Sequence, residues 1–234
     1  MAITRIFLVR HGATVLSAED RFAGSTDVEL SEEGRTQARH LAERLAPEDI
    51  AAVYASPMRR TRETAAILAA SHRLEVLPRD GLREIDHGRW ERMTRAEVEE
   101  RYAEEYAAWE ADPFTFAPRG GEAGIAVMAR ALPALREVVV AHEGQKVVVV
   151  SHKATIRLVI SSLLGIDARG YRDRLDQSPA SLNILDFKDP VRARLTLYND
   201  VSHYGGYATS PQGRLSKWWD VKGEGQGRDA DRAR

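Results

Sequence analysis

A chain of 234 residues, 43% hydrophobic and 29% charged, is long enough to bury a full core and has the composition of a globular domain. A formal net charge of −1 argues against the broad basic surface that nucleic acid requires, and no apolar run approaches membrane-spanning length. The absence of cysteine excludes disulfides, thiolate metal sites and cysteine nucleophiles; the N-terminus, Met1-Ala2-Ile3-Thr4-Arg5, lacks a signal-peptide pattern, so a cytoplasmic enzyme is the expectation.

Residues 3–9 read as a buried first strand that ends in Arg10-His11, followed by Gly12, which allows a tight turn. A polar, turn-rich loop follows through residue 27. Ser31 then reads as an N-cap, with Glu32 and Glu33 in the first turn and Ala38, Leu41, Ala42 and Leu45 on one helical stripe that Pro47 stops. A second strand over 50–55 ends in Ser56-Pro57, and the helix after it, 58–70, carries Arg59, Arg60 and Arg62. A short third strand is expected at 74–77. The stretch 82–91 is irregular and dense in polar side chains. Thr94 and Glu97 form a capping box, which predicts one helix over 95–109.

A Pro/Gly loop at 113–121 leads to a helix over 124–140. The β-branched run 146–150 predicts a further strand ending in Ser151-His152, and a helix over 155–164 stops at Gly165. Residues 181–187 and 194–198 alternate apolar and polar side chains and predict a terminal strand pair. Leu215, Trp218 and Trp219 form an apolar cluster expected to dock on the domain. Residues 223–234, Gly-rich and charged, read as a disordered tail after a single domain spanning 1–222. Strands alternating with helices indicate a layered α/β/α fold with a mostly parallel sheet. Residues 84–121 interrupt that alternation and predict a helical insertion over the C-terminal edge of the strands.

Ligands in open α/β sheets bind beyond the carboxyl ends of the strands. Two buried strands that each end in histidine therefore aim two imidazoles at one place. Arg10, His11, the Arg59/Arg60 pair and His152 suit a phosphate, because guanidinium groups bind its oxygens bidentately. One neutral histidine can attack phosphorus. The leaving oxygen then needs a proton, and Glu84 is the natural donor, with Asp86 and Glu91 as rivals. Arg59 and Arg62 read as a solvated helix face. No paired His-x-x-x-His spacing supports a metal site, and an arginine beside the key histidine repels a cation, so neither metal nor cofactor is expected.

Leu8-Val9-Arg10-His11-Gly12-Ala13-Thr14 resembles the signature of the histidine phosphatase superfamily, the phosphoglycerate mutase-like proteins. Further matches follow in order: Arg21-Phe22-x-Gly24-x-x-Asp27-x-x-Leu30-Ser31-x-x-Gly34, Ser56 to Ala65, Leu82 to Glu91, and Val150-Ser151-His152. Gly120-Gly121-Glu122 and Asn199-Asp200-x-x-His203 are weaker, structural matches. The resemblance covers residues 4–204. It implies a phosphohistidine on His11, phosphoryl contacts from Arg10, Arg60 and His152, and Glu84 as acid and then base. Three positions depart from the pattern. Lys153 and Arg92 replace glycines, and Ser17 stands where many members carry a phosphate-contacting asparagine. Lys153 and Ser17 are candidate substrate contacts, and Arg172, Arg174 and Lys153 hint at an anionic substrate.

The resulting expectation is a metal-independent phosphatase acting on small-molecule phosphate monoesters. The alternatives are mutase-type phosphoryl transfer and a non-catalytic phospho-ligand-binding domain. The expected partner is a small phosphorylated molecule, not nucleic acid or a membrane, and homo-oligomerisation stays open.

Overall fold

The computed structural model describes residues 2–18 and 21–204, with the backbone alone at 17 and 18. The tail at 223–234 and the Leu215, Trp218 and Trp219 cluster lie outside the described residues. Six strands form one sheet in the order β3-β2-β4-β1-β5-β6. β1 (Thr4–Arg10), β2 (Ile50–Ala55), β3 (Val76–Pro78) and β4 (Lys146–Ser151) run parallel. β5 (Leu182–Phe187) is antiparallel to β1, and β6 (Ala193–Asp200) is antiparallel to β5. The mostly parallel sheet and the terminal pair match expectation.

Strand alternation sorts the core into two halves. On one face Ile6, Leu8, Val147 and Val149 pack against α6 (Gly124–Ala141) and α7 (Lys153–Leu164), through Leu135, Val138, Ile156 and Ile160. On the other, Phe7, Val9, Val148 and Val150 pack against α2 (Glu32–Leu45) and α3 (Arg59–Ala70), through Leu41, Leu45, Ala65 and Leu68. The Ser31 hydroxyl accepts from Gly34 N, so the expected N-cap of α2 forms. A one-turn helix, α1 (Val15–Ala18), follows β1.

The insertion has a small core of its own. α4 (Arg95–Arg101) and α5 (Ala103–Ala111) gather Val98, Tyr106 and Trp109 around Trp90 and Phe22. The single helix expected over 95–109 is thus two. The chain breaks at Tyr102, at φ −139° and ψ 46°, where Arg89 stacks on its ring 3.9 Å from the centroid. The break lets α5 turn its own aromatic face onto Trp90, with Tyr106 and Trp109 centroids 6.2 and 5.8 Å away. The third strand starts at Val76, not 74, because Leu74 N still bonds Ala69 O at the end of α3. α8 (Tyr171–Arg174) is one turn between α7 and β5. No helix among the described residues is long and apolar enough to cross a membrane.

Candidate active site

β4, late in sequence, lies between β1 and β2, and Arg10 pairs with Ser151 in register. The residues after these two strand tips, His11 and His152, are therefore neighbours. Their ring centroids are 5.2 Å apart, edge to face. Gly12 makes the turn beyond β1 feasible: a Cβ there would stand 2.4 Å from Gly34 O, and one on Gly34 would stand 2.1 Å from Ala13 O. The two glycines let the start of α2 lie against the His11 turn.

His11 is buried. Its Nδ1 lies 2.8 Å from Gly12 O, which can only accept, so Nδ1 carries the proton and Nε2 keeps its lone pair. Burial, then the Arg60 and Arg10 charges, hold the ring well below the ordinary histidine range, and the Gly12 bond opposes them weakly. The imidazole is neutral at working pH. His152, fully buried, accepts at Nδ1 from Arg60 Nε at 3.2 Å. Its Nε2–H therefore faces Ser56 Oγ, 2.8 Å away, and this ring too is neutral, through burial and then Arg60 and His11.

Arg60 is the second residue of α3 and is fully buried. Its Nη1 donates to Thr26 O at 2.8 Å, and Nη2 to Gly24 O at 2.8 Å and to Ala23 O at 3.4 Å. With the bond to His152, four of five guanidinium N–H groups are used. Arg10 Nη1 donates to Gln177 O at 2.5 Å, while its buried Nε has no hydrogen-bond partner among the described residues. Burial and then the Arg157 charge push Arg10 down to about 10.

Glu84 lies against the N-terminus of α7. Its Oε2 accepts from Ala154 N, and its Oε1 accepts from Thr155 N and Thr155 Oγ1, all at 3.1 Å, with Ile85 N at 3.0 Å also on Oε1. Backbone donors and the helix dipole thus fix the carboxylate. Its charge acts on Arg10 and Arg60 alike. The five residues expected at the site, Arg10, His11, Arg60, Glu84 and His152, stand together.

The rivals of Glu84 are spent elsewhere. Asp86 Oδ1 accepts from Gly88 N, and Glu91 accepts from backbone N–H groups of two loops. Arg59 is exposed and pairs with Glu29, and Arg62 is exposed. Arg172 is engaged within the protein. It pairs with Asp173 and Glu110 and stacks 4.2 Å over Trp109. Lys153 is the first residue of α7. Against the upward push of burial, its charge and that of Arg157 hold Asp176 below the ordinary carboxylate range. The Ser17 side chain lies outside the described part of the structure. Among the described residues, no cluster of three His, Asp or Glu side chains is placed to hold a metal ion.

Arg157 is a residue that the sequence reading missed. It is buried on α7, and its Nη2 donates to Asp176 Oδ1 at 3.1 Å. Asp176 Oδ1 also accepts from Gln177 N, and Tyr198 OH donates to Asp176 O. The Asp176-Gln177 strap is thus held from one side by Arg157 and Tyr198, and from the other by Arg10. The signal was present: an arginine inside the run Ile156, Leu158, Val159, Ile160 has no solvated face to occupy.

A family model, histidine phosphatase superfamily (branch 1), matches residues 6–201. The chain belongs to this superfamily. Phosphoserine phosphatase 1 of Hydrogenobacter thermophilus is 39% identical over 165 residues, which are 70% of this chain and 78% of that protein. YhfR of Bacillus stearothermophilus superposes with a TM-score of 0.80 at 30% identity, over 86% of this histidine phosphatase and 98% of that chain. A mycobacterial glucosyl-3-phosphoglycerate phosphatase, solved with inorganic phosphate, gives a TM-score of 0.75 at 32% identity, over 86% and 99%. These relatives support phosphatase activity for this member of the superfamily.

Proposed function

We propose that this histidine phosphatase hydrolyses small-molecule phosphate monoesters without a metal ion, through a phosphohistidine on His11. One observation carries the reading: a neutral imidazole with its Nε2 lone pair free stands between two buried guanidinium groups and a second histidine. Arg10 and Arg60 hold the phosphoryl oxygens, and His152 supplies the Nε2–H that Ser56 Oγ accepts in the free protein. His11 Nε2 attacks phosphorus in line, a P–N bond forms, and the ester P–O bond breaks. Glu84 protonates the leaving oxygen. Its Oε1 accepts two backbone N–H groups and its Oε2 one, so Oε2, with more lone-pair capacity left, carries the proton. Glu84, now a carboxylate, takes a proton from water as that water attacks phosphorus. The P–N bond then breaks and phosphate leaves.

Lys153, beside Asp176 at the strap, meets a further anionic group of the substrate. The test is phosphate release from a panel of metabolite monoesters in excess EDTA, with H11A and K153A alongside. Release persists in EDTA and is absent in H11A, and quenching the wild type in alkaline detergent traps an alkali-stable, acid-labile phosphoenzyme. Loss of activity in EDTA, or an isomerised monophosphate in place of free phosphate, overturns the reading. K153A loses more kcat/KM on esters that carry a carboxylate than on neutral ones; an equal loss removes Lys153 from substrate recognition.

A further inference from the structure

Arg60 poses an energetic problem. A buried guanidinium is costly unless it is compensated, and among the described residues no carboxylate is hydrogen-bonded to it. Its compensation comes from carbonyls of the 23–26 loop. The same loop turns its N–H groups the other way. Glu91 Oε1 accepts from Gly24 N and Ser25 N, both at 3.0 Å, and Glu91 Oε2 accepts from Thr26 N at 3.1 Å and Thr26 Oγ1 at 2.6 Å. In a trans peptide the N–H and C=O point in opposite directions. The Gly24-Ser25 unit therefore gives its N–H to Glu91 and its C=O to Arg60. The Ala23-Gly24 unit does the same, with the longer 3.4 Å contact on the Arg60 side. Each unit is a dipole lying between a carboxylate and a guanidinium, with both ends favourably placed.

We infer that Glu91 is a positioning residue for Arg60, acting through these two peptide units. The inference rests on the proposed role of Arg60 as a phosphoryl contact. Glu91 Oε1 also accepts from His87 N at 3.1 Å, so one carboxylate ties the proton-donor loop to the loop that orients the guanidinium. The loop has no freedom to re-form elsewhere. A Cβ at Gly24 would stand 1.9 Å from Ile85 O and 2.7 Å from Glu91 Oε1, so loop and carboxylate are packed backbone to side chain. Against the upward push of burial, the Thr26 hydroxyl and the His87 and Ser25 N–H groups hold Glu91 below the ordinary carboxylate range, and its charge acts on Arg60. Glu91 is thus held as an anion at working pH.

Kinetics of E91Q, E91A and R60A in the full chain, with inorganic phosphate as competitive inhibitor, test this. E91Q keeps an acceptor at Oε1 but presents an NH₂ to Thr26 N. E91A weakens phosphate inhibition roughly tenfold and lowers kcat/KM on the order of a hundredfold, with E91Q between it and the wild type. R60A shows the same pattern more strongly. Wild-type phosphate inhibition in E91Q or E91A, beside a weakened R60A, overturns the positioning role, even where the melting temperature falls. Wild-type inhibition in R60A instead overturns the phosphoryl role of Arg60, and the Glu91 inference with it. If E91A does not fold, E91Q alone decides.

Discussion

Arg92 stands at φ 68°, a left-handed conformation that non-glycine residues rarely adopt. It is the residue after Glu91, where the superfamily pattern has glycine. The geometry cannot relax, because Arg92 N donates to Phe22 O at 2.7 Å and Arg92 O accepts from Arg21 Nη1 at 2.8 Å. Arginine here carries a strain that glycine would not, partly offset by the extra chain entropy that glycine brings to the unfolded state. R92G is therefore expected to stabilise the fold by up to about 1 kcal/mol, read as a higher urea midpoint at unchanged slope, with kcat unaffected. R92A, which keeps the Cβ, gives no gain. At the same scale, His11 shows how a side chain gains its chemistry from one backbone atom. The Gly12 carbonyl selects the tautomer, and burial keeps the proton off the other nitrogen.

Elements place these residues, and here sequence and structure part company in an instructive way. The tips of β1 and β4 were legible because an apolar run that stops at Arg10-His11 or Ser151-His152 can only be a buried strand ending at a polar site. That both tips aim at one place is an expectation the sequence allows; the strand order that makes them neighbours is not legible, since it is set by pairing across the sheet and β4 is threaded between β1 and β2. Glu84 was readable as a carboxylate of the candidate site, whereas the role proposed for Glu91 was hidden because its partners are backbone N–H groups, which leave no mark on composition. Arg172 misled for a similar reason: its partners Glu110 and Trp109 lie on a different helix.

α6 exerts its influence on the site through one side chain. Arg130 donates to Gly81 O, Arg83 O and Glu84 O at 2.8–2.9 Å and to Glu122, whose Oε2 accepts from Asp86 N. One planar fork thus holds the chain on both sides of Glu84. Lysine keeps the charge but not the fork. R130K is expected to cost about 1–3 kcal/mol in urea unfolding and to lower kcat several-fold while KM changes little. Unchanged kcat in a folded R130K enzyme would show that the Glu84 loop holds its shape without α6.

For the molecule as a whole, concentrating unprotonated imidazoles in the interior makes folding sensitive to acid. His11, His87 and His152 are buried, and burial, first among the causes, lowers all three from the ordinary histidine range, the first and last of them far below it. Unfolding returns each ring to water, where it binds a proton below about pH 6.5. The unfolded state then holds more protons than the folded one, so stability falls as pH falls. Above about pH 7.5 the rings are neutral in both states and the effect vanishes. Below about pH 6.5 each ring that stays unprotonated in the folded state adds up to about 1.4 kcal/mol of lost stability per pH unit, so His11 and His152 together add up to about 3 kcal/mol per unit. Carboxylates held low by their partners, such as Glu122 on Arg130, add their own losses at more acid pH. Urea unfolding at pH 7.5, 6.5 and 5.5 is expected to give a stability that is nearly flat over the first interval and drops steeply over the second. H11Q, which removes one titrating ring, reduces that slope by about one proton. In the proposed mechanism His11 is held unprotonated by burial, so the acid limit of the enzyme is set by unfolding before protonation of that ring. A stability that is level from pH 7.5 to 5.5 would mean that the buried rings take up protons in the folded state, and the neutral-nucleophile argument would fall with it.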